Sequence, residues 1–203
     1  MVPNASPGRV IVLNGASSAG KSTLANALQT ALAGIGACWV IFSWDDFAPR
    51  LPDRWHSGPD AVGDRASEGC RYQVIREEPN VEARLVVGPV GRRMLQGYHR
   101  AIAALAGAGV NVIVEEVMIS AAEWDDWNDA LRGVDVCWVG VRCDVDVVAR
   151  REAERGDRYR GLARGTALVT HGYATYDVEV DTTSRAAEDL VGEIVARVVP
   201  DQA

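Results

Sequence analysis

The sequence predicts a single α/β domain on a mostly parallel, five-stranded sheet flanked by helices, and three observations carry that expectation. Short apolar, β-rich runs alternate along the chain with longer stretches of helical periodicity, the pattern of β–α–β units. The first run, Val10-Ile11-Val12-Leu13, leads into Gly15-Ala16-Ser17-Ser18-Ala19-Gly20-Lys21-Ser22, which satisfies G-x-x-x-x-G-K-[ST]. The 203 residues, 48% hydrophobic and 24% charged, suffice for one well-buried core and are too few for two comfortable domains.

Each element follows in order. The motif is a phosphate-binding loop, since strand, loop and helix stand where it needs them. Gly15 and Gly20 let successive N–H groups turn inward, and the helix that opens at Lys21 and continues through Thr23 aims its positive end at an anion. Leu24, Leu28 and Leu32 recur at helical spacing until Gly34 and Gly36 end the pattern. Residues 38–42 form a second apolar strand, stopping at Ser43-Trp44-Asp45-Asp46. Over 48–88 the periodicity dissolves into Pro, Gly, Arg and acidic residues, a stretch longer than ordinary connections and hence an insert or lid on the acceptor side. Beyond it come a helix over 89–105, a strand over 110–114 ending in Glu115-Glu116, a helix over 121–131 and a strand over 134–141. Helices over 144–154 and 162–171, a last strand over 176–180 and a closing helix over 185–198 complete the domain, 1–203, behind a loose tail of residues 1–8.

Charge and cysteines bound the partners. A net charge of -7 and a pI near 5.0 argue against nucleic acid or an anionic membrane, which demand a broad basic surface. No stretch is apolar for long enough to span a bilayer, and the N-terminal residues carry neither a basic segment nor an apolar run of signal type. Cys38, Cys70, Cys137 and Cys143 form no C-x-x-C pair, so buried thiols in a reducing, cytoplasmic setting are expected. A homo-oligomer is left open.

Carboxylates converge where the strands end, which in such sheets is where ligands bind. Lys21, the chain's single lysine, reaches the β- and γ-phosphates of ATP, and Ser22 ligates Mg²⁺. Asp45 is the candidate base for an acceptor hydroxyl, with capping of the next segment as the alternative for either Asp45 or Asp46. Glu115 or Glu116 would hold the metal, whichever does not point away, because neighbours on a strand alternate. Arg151, Arg155 and Arg158 fall on one side of a helix and its continuation, forming an arginine lid over 150–161 or else a solvated face paired with Glu152 and Glu154. Trp44 and Trp55 flank the insert and, with Arg92, are candidate acceptor contacts, although a tryptophan more often fills core space.

These residues carry a family resemblance. The chain resembles the chloramphenicol phosphotransferase family, P-loop kinases that move the ATP γ-phosphate to a hydroxyl of an antibiotic. The likeness rests on Leu13-Asn14-Gly15 with the phosphate loop, Asp45, Gly88-Pro89, Glu115-Glu116, Trp138 to Asp144, Arg155-Gly156-Asp157-Arg158 and Tyr176 to Thr183. By that resemblance Asp45 is the catalytic base, Arg151 to Arg158 the lid, and Asp181-Thr182-Thr183 the adenine side of the nucleotide pocket. The acidic pair is glutamate where the family has aspartate, and residues 51–87 match the family poorly, so the acceptor does not carry over. The expectation is an ATP- and Mg²⁺-dependent O-phosphotransferase acting on a hydroxylated antibiotic. A metabolic kinase of the shikimate or gluconate type, a polynucleotide or adenylylsulfate kinase, and a nucleotide-binding switch stand as alternatives.

Overall fold

The computed structural model describes residues 6–57 and 62–199. Strands β1 (Arg9–Gly15), β2 (Trp39–Ser43), β5 (Asn111–Glu116), β6 (Asp135–Arg142) and β7 (Val178–Asp181) form one parallel sheet in the order β2-β5-β1-β6-β7. The sheet is buried on both faces, which is why its strands read as unbroken apolar runs. In β1 the pleat sends Ile11 and Leu13 to one side and Val10 and Val12 to the other. The first pair packs under helices α1 (Lys21–Gly34) and α7 (Ala187–Val198), through Leu24, Leu28, Leu190 and Ile194. The second packs under α3 (Pro89–Gly107) and α4 (Ala121–Ala130), through Tyr98, Ile102 and Trp127.

The insert is more ordered than its composition suggests. A four-residue helix, α2 (Trp44–Phe47), and 3-10 turns at Ala48–Arg50 and Asp53–Trp55 lead to an antiparallel hairpin, β3 (Cys70–Arg76) with β4 (Glu82–Val87). Residues 58–61 of this stretch lie outside the described residues. The hairpin escaped the sequence pattern because it has one wet face and arginines at Arg71, Arg76 and Arg84 break the alternation. After α5 (Val145–Arg155) comes α6 (Leu162–Ala167), which fixes the hairpin: the Ala83 N–H donates to O of Gly161, the residue before α6, at 2.9 Å, and Arg84 Nε to Gly165 O at 3.4 Å.

Several boundaries move, two of them for a visible reason. Helix α6 is shorter than 162–171, because Leu168–Thr170 continue only as turns closed by Val169 and Thr170 N–H on Thr166 O. The loose tail does not extend to Gly8, which is buried and donates its N–H to Ala106 O at 2.7 Å; residues 1–5 lie outside the described residues. No helix among the described residues is long and apolar enough to cross a membrane.

Candidate active site

A cleft of about 630 Å³ opens at the carboxyl ends of the strands. Its floor is the loop between β1 and α1. At Gly15 a Cβ would lie 2.5 Å from the Val141 carbonyl oxygen of β6, so the strand end admits no side chain. Gly20 has φ 88°, a left-handed turn that starts α1. Ala16 and Ala19 are buried and offer backbone only, whereas Ser17, Ser18, Lys21, Ser22 and Thr23 border the cleft. Ser18 Oγ is buried without a partner, an unspent group at the place an anion would lie. The Ser17 N–H donates to Thr166 Oγ1 at 3.0 Å, tying α6 to the loop. The Lys21 ammonium donates to Gly15 O at 3.0 Å and Ala16 O at 2.7 Å. Burial pushes its pKa down to about 8, against the pull of Glu115, Asp45 and Glu116.

The carboxylates sort themselves by local geometry. Ser43 caps α2, accepting the Asp45 N–H at 3.2 Å, while Asp46 returns its carboxylate to the Ser43 N–H at 3.1 Å. The capping alternative therefore applies to Asp46. Asp45 borders the cleft instead, and Arg158 Nη1 donates to its Oδ2 at 2.7 Å. At the end of β5, Glu115 accepts the Ser22 hydroxyl at 2.6 Å. Glu116 is buried, accepts the Val117 N–H through Oε2 at 3.2 Å, and leaves Oε1 without a partner. Burial, reinforced by Glu123, pushes its pKa up to about 8. No cluster of three or more His, Cys, Asp or Glu side chains forms a metal cage among the described residues. An all-oxygen set of one hydroxyl and one or two carboxylates fits Mg²⁺, which takes the rest of its shell from water and phosphates.

The arginine segment covers this floor. Asp144 caps α5 by accepting the Asp146 and Val147 N–H groups, and Gly156, at φ 69°, ends it. Arg151 donates to Thr182 O at 2.8 Å and Arg155 pairs with Asp157 at 3.2 Å; both border the cleft, as does Arg158. Buried Glu152 does not pair with an arginine: it accepts the Gly161 and Ala163 N–H groups at 2.7 and 2.6 Å, pinning the segment between α5 and α6. Of the loop 181–183, Thr182 alone borders the cleft, its hydroxyl donating to Ala19 O at 2.7 Å. Asp181 and Thr183 close turns instead, Asp181 Oδ1 accepting the Thr183 N–H and Thr183 Oγ1 the Asp144 N–H.

Trp55 and Arg92 do not reach the cleft wall. The Trp55 ring is covered by the Arg65 guanidinium, 4.6 Å from its centroid, within the insert. Trp44 borders the cleft, and its ring also packs against Tyr98 with centroids 5.9 Å apart. Sequence reasoning missed Tyr72, Leu85 and Val87 from the hairpin, and His99 and Trp127 from α3 and α4, all in the wall. His99 had a signal: it shares the apolar stripe of α3 with Leu95 and Ile102. Asn14, buried in β1, donates to Tyr176 Oη at 2.8 Å and accepts the Met118 N–H at 3.0 Å, joining strand ends beneath the loop.

A phosphate loop on a five-stranded parallel sheet, with a carboxylate and an arginine-bearing segment closing on it, defines a P-loop kinase. The chain belongs to the chloramphenicol phosphotransferase-like family, whose model matches residues 8–199. It is 37% identical over 195 residues to proteins of two Mycobacterium tuberculosis strains, provisionally named O-phosphotransferases, covering 92% of this chain and 80% of theirs. Its fold is similar to that of an M. tuberculosis APS kinase in complex with AMPPNP and APS, with a TM-score of 0.64, 15% identity, and coverage of 95% of this chain and 98% of that one. It is also similar to a Sinorhizobium meliloti gluconokinase, with a TM-score of 0.59, 15% identity, and coverage of 98% and 97%.

Proposed function

We propose that the protein transfers the γ-phosphoryl group of ATP to a hydroxyl of a neutral, largely apolar small molecule of the antibiotic or natural-product type. The observation that carries this reading is the composition of the cleft. Lys21, Arg151, Arg155 and Arg185 stand on the side of the phosphate loop, α5 and the start of α7. The opposite side is built from Tyr72, Leu85, Val87, Leu95, Ile119 and Trp127, with no Arg or Lys from β3, β4, α3 or α4 among the described residues. The cation nearest that side is Arg158, already paired with Asp45 at 2.7 Å, so a carboxylated acceptor of the shikimate or gluconate type, or a sulfated one, would have to compete with Asp45 for it or be desolvated unpaired. A nucleotide-binding switch has no need of Asp45 facing the same space. The four free thiols suit a reducing cytoplasm.

In the proposed reaction the acceptor oxygen attacks the γ-phosphorus, the bond to the β–γ bridging oxygen breaks, ADP leaves, and the hydroxyl proton passes to the Asp45 carboxylate. Ser22 and Glu115, with Glu116 beside them, would hold Mg²⁺, which when bound would supply charge neutralisation for the phosphoryl group in transfer. Lys21 exchanges its loop carbonyls for phosphate oxygens. Arg158 leaves Asp45 for the migrating group, which frees the base as it neutralises charge, and Arg155 assists from the same segment. Thr182 and Arg151 frame the nucleotide. Coupled ADP release, with neutral hydroxylated antibiotics compared with shikimate, gluconate and adenylylsulfate, tests the assignment. Stimulation by neutral compounds alone is expected; stimulation by the anionic ones overturns it, and stimulation by none favours the switch.

A further inference from the structure

Two neighbouring residues of the arginine segment hold two different parts of the protein. Arg158 Nη1 donates to Asp45 Oδ2 at 2.7 Å, just beyond the end of β2. The next residue, Tyr159, stacks its ring on Tyr72 of β3, with centroids 4.6 Å apart and the planes inclined by 19°. The turn that carries both runs from Gly156, which ends α5, to Gly161, ahead of α6, and the Leu162 N–H donates to Tyr159 O at 3.1 Å. In so short a turn, adjacent residues separated by one rigid peptide unit are displaced together.

Tyr72 belongs to the wall of the cleft. It pairs in register with Leu85 of β4, and both border the cleft with Val87. Burial pushes its phenol above the ordinary tyrosine value; the Asp45 charge adds to that and Arg158 opposes it, so the ring lies within electrostatic reach of the ion pair. A stacked aromatic pair is worth about a factor of 2 to 10 in an equilibrium constant. That is enough to bias the position of the wall. It is not what attaches the hairpin, which stays bound to Gly161 and Gly165 through Ala83 and Arg84.

Resting on the kinase reading above, we propose that Tyr159 and Tyr72 are positioning residues that transmit nucleotide binding to the acceptor wall. A triphosphate on the phosphate loop competes with Asp45 for Arg158. As the guanidinium turns to the γ-phosphate, Tyr159 moves with the turn, and its stacked partner Tyr72 draws the β3 side of the wall into place. The same displacement frees Asp45, so the base and the wall become ready for the acceptor in one step.

The test uses the full chain with Mg²⁺ and AMPPNP and needs no acceptor. The chain has five tyrosines, so 3-fluorotyrosine labelling gives five ¹⁹F resonances, of which Tyr72→Phe and Tyr159→Phe assign the two that matter. AMPPNP is expected to move both. A Tyr72 resonance that stays in place while calorimetry shows the nucleotide binding overturns the inference and leaves the kinase reading standing. In Tyr159→Leu the nucleotide should still bind while Tyr72 no longer responds; a persisting response means that the nucleotide acts on the wall directly, and overturns the inference. Tyr159→Phe keeps the stack and should keep the Tyr72 response, whose loss there would refute the role of stacking. Arg158→Ala should silence Tyr72 with its stack intact, and a response that survives removes Arg158 from the route. Tyr98, Tyr173 and Tyr176 at their wild-type positions before nucleotide is added show that each variant is folded; if Tyr159→Leu is not, Tyr159→Phe and Arg158→Ala still decide. If AMPPNP does not bind at all, the kinase reading falls and this inference with it.

Discussion

Lys21 is where side-chain shape matters most. Its ammonium sits between two loop carbonyls at 3.0 and 2.7 Å, a space that accepts a point charge but not a planar fork. Lys21→Ala and Lys21→Arg are both expected to abolish turnover; near-normal kcat in Lys21→Arg, by coupled ADP release, contradicts that assignment. Asp45 and Asp46 divide the labour at the end of β2, because the capping box that uses Asp46 leaves Asp45 to the cleft. Asp45→Asn should keep nucleotide affinity and lower kcat by about 10² to 10³, the lower range for a general base, because a loose transition state asks little of deprotonation. Asp46→Asn retains an oxygen for the Ser43 N–H and should transfer phosphate at nearly the normal rate. Single-turnover phosphorylation with nucleotide titration separates the two, and the reverse ranking of the variants places the base at Asp46. The adjacency of the two aspartates was plain in the sequence, but their division depended on the rotation of α2, which a strand-end alternation rule does not supply.

At the scale of elements, the arginine segment is held less by its arginines than by Glu152. One buried carboxylate accepts the first free N–H groups of α6, so α5, the turn and α6 move together, and through Gly161 and Ala83 they carry the hairpin with them. Glu152→Gln leaves one of those N–H groups facing an NH₂, at a cost of about 1–3 kcal/mol. The expected outcome is a lower urea midpoint and faster amide exchange across residues 156–163, with kcat/KM reduced because Arg155 and Arg158 are no longer fixed over the phosphates. Unchanged exchange there would remove Glu152 from this role. Sequence spacing marked Glu152 as an ion-pair partner of the arginines; the long-range pairing with backbone 9 and 11 residues away has no local signature. The hairpin was hidden because Arg71, Arg76 and Arg84 interrupt its alternation of apolar and polar residues.

Across the whole molecule, the elements that periodicity and the glycine motif define in the sequence are those of the sheet and its covering helices, where burial on both faces leaves unbroken apolar runs. Trp44 and Asp45 aside, the wall opposite the phosphate loop was illegible because its residues come from β3, β4 and the middle of α3 and α4, where no motif marks them. That wall, and the polar network beneath the loop, hold titratable groups whose burial couples pH to stability. Burial lowers the pKa of His99 and of His171 to about 4, and raises that of Glu116 to about 8. For the histidines the folded state binds fewer protons than the unfolded one between pH 4 and about 6.5, so their contribution to stability rises with pH through that window and is lost on acidification. For Glu116 the folded state binds more protons between about pH 4.5 and 8, so its contribution falls as pH rises. The two slopes oppose each other from about pH 4.5 to 6.5 and flatten the wild-type profile, which makes differences between variants the informative quantity. Relative to wild type, His99→Phe should gain stability as pH falls from 7 to 5, by at most about 2 kcal/mol for one proton over that span. Glu116→Gln should gain relative to wild type as pH rises from 5 to 7.5. Urea unfolding at a series of pH values measures both, and a His99→Phe curve that runs parallel to wild type would show that His99 is not a buried neutral imidazole.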